Sequence, residues 1–238
     1  MRKIAHFAGR AQSPAPSRRH LLQAAAGAAG IFAVLGAAAE ASPPPPAGAK
    51  SAPEEAIEKL LAGNKRYVEG RLQSPRADLA RLRRETEQTQ KPFAAVLSCS
   101  DSRLPVELVF DQSLGQIFVA RIAGNITTPE IIASLEYGAA ILGTKAILVL
   151  AHENCGALKA ALAGKPAPGQ ISALYPHLQP AVREAGGSLE AAARANARLQ
   201  ASLLREASPV LSALASKGAL AIRAGYYSLA SGRVALLS

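Results

Sequence analysis

Two stretches decide the fold of this chain: FAAVLSCSDSRLPVE at residues 93–107 and AILVLAHENCGALKAAL at residues 146–162. Each opens as an apolar run and stops abruptly at groups able to bind a metal. The first run ends at Cys99, with Asp101 and Arg103 just beyond; the second ends at His152, followed by Cys155. Nearly continuous apolar runs of this length suit strands buried on both faces. Strands alternating with helical segments predict a single α/β domain, with a mostly parallel sheet flanked by helices. Ligands of such sheets bind at the carboxyl ends of the strands, which is where these groups fall.

The chain has two cysteines, and both are here. Two thiols and an imidazole supply three ligands of a tetrahedral zinc site, leaving one position open, which is the catalytic arrangement. A strand-to-helix turn aims His152 and Cys155 at one ion. Cys155 opens the segment GALKAAL, where the positive end of the helix dipole favours thiolate. Asp101 and Arg103 flank Ser102 and project to one side of an extended segment, so the guanidinium can hold the carboxylate by two parallel hydrogen bonds. Each residue has a plainer use when read alone. Two cysteines in an exported chain ordinarily form a disulfide, an aspartate caps a helix, and Arg121 before a glycine turn makes an ordinary ion pair. His177 has no second candidate ligand near it and reads as a surface or packing residue. The combination of Cys99, Asp101 and Arg103 with His152 and Cys155 favours the metal site over the disulfide.

At these positions the chain resembles the β-class carbonic anhydrases, whose signature is C-x-D-x-R followed by H-x-x-C. The resemblance extends through EEAIEKLLAGNKRY (residues 54–67), IFVARIAGN (117–125), SLEYGAAIL (134–142) and GYYSLASGRVALL (225–237). It departs at Ala151, where the family usually has glycine, and at Ile122, where asparagine is common; both bear on the substrate pocket and neither is a ligand. The resemblance implies reversible hydration of carbon dioxide to bicarbonate and a proton, with one Zn2+ per subunit. The implied metal ligands are Cys99, His152 and Cys155, with Asp101 either ligating the metal or pairing with Arg103. Asp101 and Arg103 are the implied catalytic pair. It also implies a homodimer or homotetramer, with the N-terminal helical extension packed on a partner subunit. A hydrolase of COS or CS2 on the same site, and a non-catalytic protein with structural zinc, remain as alternatives.

The rest of the chain reads in order. Residues 1–41 carry Arg18 and Arg19 ahead of an Ala- and Gly-rich apolar segment that ends in AEA. This resembles a twin-arginine (Tat) export signal and predicts a periplasmic protein without stable membrane association after cleavage. Residues 42–52 form a Pro-rich spacer, and residues 53–238 the domain itself. Of the net charge of +10, Arg2, Lys3, Arg10, Arg18 and Arg19 against Glu40 give +4 to the leader; the remaining 22 basic and 16 acidic residues give +6. A scattered +6 without aromatic platforms argues against nucleic acid. Ser51 with Glu54 predicts a capped helix start, and a charged helix is predicted over residues 79–90. Strands are predicted at 93–98, 117–122, 146–150, 219–227 and 233–237. A helix is predicted from Pro129 to residue 142, and an Ala/Leu-rich helical region over 172–217, broken at Gly186–Gly187 and Pro209.

Overall fold

Alternation of apolar runs with helices produces one sheet. The computed structural model describes residues 51–74 and 77–238; the predicted export signal and nearly all of the predicted spacer lie outside the described residues. Strands β1 (Ala94–Ser98), β2 (Ile117–Arg121), β3 (Ala146–His152), β4 (Ala221–Tyr227) and β5 (Val234–Leu237) lie in the order β2-β1-β3-β4-β5. The first four are mutually parallel, and β5 returns antiparallel to β4. The described residues thus form a single α/β domain with a mostly parallel sheet. Every residue of β1 and β3 is buried, which requires cover on both faces.

Helices supply that cover. They are α1 (Ala52–Val68), α2 (Leu79–Thr86), α3 (Val106–Val109), α4 (Pro129–Glu136), α5 (Gly156–Ala163), α6 (Tyr175–Glu184), α7 (Leu189–Ala207) and α8 (Pro209–Ser216). α1 packs over β1, β3 and β4, and α7 over β3 and β4. α1 starts as its sequence predicts: the Glu54 carboxylate accepts from the Ser51 backbone N–H at 3.0 Å, and Pro53 occupies the first turn, where a missing N–H costs nothing. Ser188 and Ser208 cap α7 and α8 by accepting from Ala191 and Leu211 N–H. None of the helices among the described residues is long and apolar enough to cross a membrane.

Two helices differ from expectation. α2 stops at Thr86 rather than at residue 90. It buries no residue, so only local propensity sustains it, and the Thr86 hydroxyl turns back to donate to the Leu82 carbonyl at 2.7 Å. The helix from Pro129 ends at Glu136 and widens into a π turn, Tyr137–Ile141. There Gly138 lies against the Phe118 ring, with space for a Cβ only 3.3 Å from it. The apolar face of α1 packs on its own chain through Ile57 and Leu60.

Side chains of α1 also fasten distant segments. Asn64 donates to the Val109 carbonyl at 3.1 Å and the Gly232 carbonyl at 2.9 Å, and accepts from Val234 N–H at 2.8 Å. Arg66 reaches the buried Asp111, which also accepts from the N–H groups of Gln73 and Ser74. Burial alone would push the Asp111 carboxyl up; those N–H groups and the guanidinium together hold it below the usual carboxylate range. A lowered folded pKa gives stability that is complete above the unfolded value, about 3.9, and is lost as pH falls through the folded one. Asp111→Asn is therefore expected to cost about 2 kcal/mol at neutral pH, with the gap to the parent closing below about pH 4 in chemical denaturation. A gap that widens in acid would contradict this account.

Gly63 generates a second expectation. Its backbone lies so close to α3 that a Cβ would fall 1.8 Å from the Phe110 carbonyl oxygen. Gly63→Ala gains at most about 1 kcal/mol of helix propensity and must displace backbone, at a cost of about 1–3 kcal/mol or more. A lowered melting temperature is expected; a raised one would show that α1 and α3 separate freely.

Candidate metal centre

The sheet order turns at β1: the chain crosses from β1 outward to β2, then back past β1 to β3. Such a switch point opens a crevice at the carboxyl ends of the two central strands. Ser98 pairs with Leu150 in register, so Cys99 leaves β1 beside the end of β3. β3 runs two residues further than its sequence predicts, and His152 is its last residue. A tight turn with Asn154 in the left-handed region (φ 52°) then delivers Cys155 as the cap of α5.

Cys99, His152 and Cys155 are all buried, and their ligand atoms lie within 4.8 Å of one another. Both cysteines are free thiols. The His152 Nδ1 lies 2.8 Å from the Glu153 carbonyl oxygen. That oxygen can only accept, so Nδ1 carries the proton and Nε2 the lone pair. This buried Nε2 has no hydrogen-bond partner among the described residues. An orphaned imidazole nitrogen facing two thiols fits a metal ion, and two sulfurs with one nitrogen are a donor set suited to zinc.

The two sulfurs sit in unlike surroundings. Cys99 is drawn well down by the hydrogen bond from the Cys155 thiol, with help from the Gly124 N–H, which donates to Cys99 Sγ at 3.3 Å. Cys155 is pushed up by donating to Cys99 and by burial. The N–H groups of Ala157 and Leu158 at the start of α5 do pull Cys155 down, as its position predicts, and the neighbouring thiolate outweighs them.

Asp101 stands beside this group rather than within it. Its carboxylate accepts from Arg103 Nε at 2.9 Å and Nη2 at 2.8 Å, the two parallel bonds predicted, and from the Arg103 backbone N–H at 2.9 Å. Its Oδ2 is 3.9 Å from His152 Nε2. The Arg103 bonds hold Asp101 well below the usual carboxylate range, so it is an anion across neutral pH. Arg103 also donates to the Asn154 carbonyl at 3.2 Å, tying the two loops together. Among the sequence-predicted residues, therefore, Cys99, His152 and Cys155 converge as one group, Asp101 and Arg103 form its rim, and His177 is exposed on α6.

Arg121 has a part that its sequence context does not convey. Among the described residues it makes no side-chain ion pair; Nε donates to the Cys99 carbonyl at 3.0 Å and Nη2 to the Asp101 carbonyl at 2.8 Å. One planar guanidinium thus spans the backbone of the ligand loop. A larger cleft, about 980 Å³, lies at the opposite end of the sheet, lined by Phe93, Gly115 and Lys145 just ahead of β1, β2 and β3; none of the metal-binding residues lines it.

An α/β sheet with a buried Cys–His–Cys group at its switch point and an anchored carboxylate beside it defines the class: an α/β protein whose strand ends carry a group that could bind a metal. Residues 94–234 match the family described as carbonic anhydrase. Carbonic anhydrase 2 of Mycobacterium tuberculosis is 33% identical over 192 residues, covering 77% of this chain and 92% of that protein. The carbonic anhydrase of Mycolicibacterium smegmatis is 36% identical over 197 residues, covering 79% and 95%. Among solved structures, the Coccomyxa β-carbonic anhydrase in complex with acetazolamide superposes with a TM-score of 0.61 at 25% identity, covering 76% and 86%. The chain belongs to the carbonic anhydrase family, with the fold of its β class.

Removing Arg121 should loosen the ligand loop without touching a ligand. Arg121→Ala is expected to weaken metal binding about 10- to 100-fold, the range for groups that orient ligands, as read by chelator competition. Parental affinity would mean that the loop is held by other contacts.

Proposed function

We propose that this protein catalyses the reversible hydration of carbon dioxide to bicarbonate and a proton, at a zinc ion held by Cys99, His152 and Cys155. The observation that carries the reading is the orphaned, buried His152 Nε2 facing two free thiols, with an Arg-anchored carboxylate alongside. When bound, zinc supplies the Lewis acidity that makes water nucleophilic near neutral pH.

The chain's own residues supply orientation. Glu153 fixes the His152 tautomer through its carbonyl. Asp101, kept anionic by Arg103, accepts a hydrogen bond from the attacking water and aims its lone pair at the substrate carbon. Because its pKa is lowered, Asp101 orients the water rather than storing its proton, which passes on to solvent. Arg103, half-exposed at the rim, keeps the carboxylate turned away from the ligand group and leaves room for water.

Stopped-flow hydration and zinc content measured on one sample test the reading. Near-stoichiometric zinc with turnover is expected. Cys155→Ser should lose both, and Asp101→Ala should keep zinc while losing about 100-fold or more in kcat, on the scale of a lost transition-state hydrogen bond. Stoichiometric zinc without turnover would overturn the reading, and COS and CS2 assays on the same sample then become decisive. The proposal includes export: paired Arg18–Arg19 before an apolar segment and a small-residue end supports Tat-dependent delivery to the periplasm. It also includes assembly as a dimer or tetramer; the β-carbonic anhydrases of Sordaria macrospora with this fold are tetrameric.

A further inference from the structure

The metal centre is braced from a helix that contributes no ligand. Asn196 and Gln200 lie one turn apart on α7, both with no exposed surface, on a face otherwise made of alanine and leucine. Buried amides persist where their hydrogen bonds are made, and here they reach the segment 124–127, whose first residue faces Cys99, with one further bond from Gln200 Nε2 to the His177 carbonyl at 3.3 Å. Asn196 Nδ2 donates to the Gly124 carbonyl at 2.8 Å. Gln200 Nε2 donates to Asn196 Oδ1 at 3.1 Å, which fixes which end of the Asn196 amide faces Gly124. Gln200 Oε1 accepts from the Thr127 N–H at 2.7 Å. Residues 124–127 are therefore held to α7 at two points. On the other side, the same glycine donates its N–H to Cys99 Sγ.

Gly124 has no freedom to find that geometry by itself. Its φ is 77°, and space for a Cβ is closed by Leu178 at 3.1 Å and Ala157 at 3.4 Å. The peptide is wedged between α5 and α6 and pulled onto α7, with its N–H left to point at sulfur.

We infer that Asn196 and Gln200 are positioning residues of the metal centre, holding Gly124 so that its N–H hydrogen-bonds the Cys99 sulfur. An N–H donor withdraws electron density from a thiolate. Cys99 then neutralises less of the metal's charge than it would without that donor, and the ion remains a stronger Lewis acid. The inference rests on the metal-centre reading above.

Cobalt(II) in place of zinc reports the thiolates through sulfur-to-metal charge-transfer absorption. Asn196→Leu keeps the bulk of the side chain and removes the donor to Gly124. Its charge-transfer band is expected at longer wavelength than the parent's, because the freed thiolate is richer in electrons. Its zinc is expected to pass to a chelator about tenfold faster or more, as for lost ligand-orienting groups. Leu204→Ala, buried on the same helix and outside the amide network, should lower the melting temperature yet leave band and release rate at parental values. An unmoved band in Asn196→Leu, or equal zinc release from both variants, would overturn the inference. If Asn196→Leu does not fold, the parent loaded with cadmium-113 decides: scalar coupling between the Gly124 amide proton and the metal across sulfur is expected, and its absence overturns the inference. Failure of the parent to take up cobalt would instead sink the metal-centre reading itself.

Discussion

Two thiols and an imidazole, each buried, meet within 4.8 Å of one another, and the rest of the site is arranged around that meeting. Deprotonating both sulfurs would set like charges side by side, and a buried imidazole nitrogen without a partner forfeits a hydrogen bond. A divalent cation would satisfy all three groups at once. Much of the surrounding structure serves to make their meeting unavoidable: the parallel register that brings Cys99 to the end of β3, the left-handed Asn154 that returns the chain toward α5, and the carbonyl that fixes the imidazole. The free energy of ion binding at such a site would correspondingly be part of the free energy of folding.

Charge is graded outward from that pocket. The donors are buried, the Asp101–Arg103 pair sits at the rim, and Arg121 spends its hydrogen bonds on backbone carbonyls. Glu153 joins the site to the end of the sheet. Its carbonyl orients His152, while its carboxylate accepts from Ser228 Oγ at 3.0 Å and Ala230 N–H at 3.2 Å in the turn after β4. The neighbour of a ligand thus anchors the final hairpin.

The sheet and the five residues of the site were legible because their signals are local. An apolar run that stops at a cysteine or histidine needs no knowledge of the rest of the fold, and Asp101–Arg103 is a contact across one residue. What escaped the sequence depends on packing. β3 extends to His152 because β4 runs alongside as far as Tyr227. The helix from Pro129 loosens where Gly138 meets Phe118. α2 ends early because nothing covers it. Arg121 reads as a surface ion pair until the loop it spans is folded beneath it. Asn196 and Gln200 left a faint trace, two amides at i and i+4 within an Ala/Leu face, but their partners lie more than seventy residues earlier in the chain.

Asn64 bears on how the chain becomes this structure. Its one amide joins segments 45, 168 and 170 residues away in sequence, and β5 completes the sheet only from residues 234–237. A chain synthesised from its N-terminus carries α1 outside the ribosome long before either distant partner exists. The amide must wait, two of its three hydrogen bonds unmade, until that last strand emerges. Closure is thus a late, long-range event of the kind that folds slowly, and the interval before it is when the exposed chain most needs protection from aggregation.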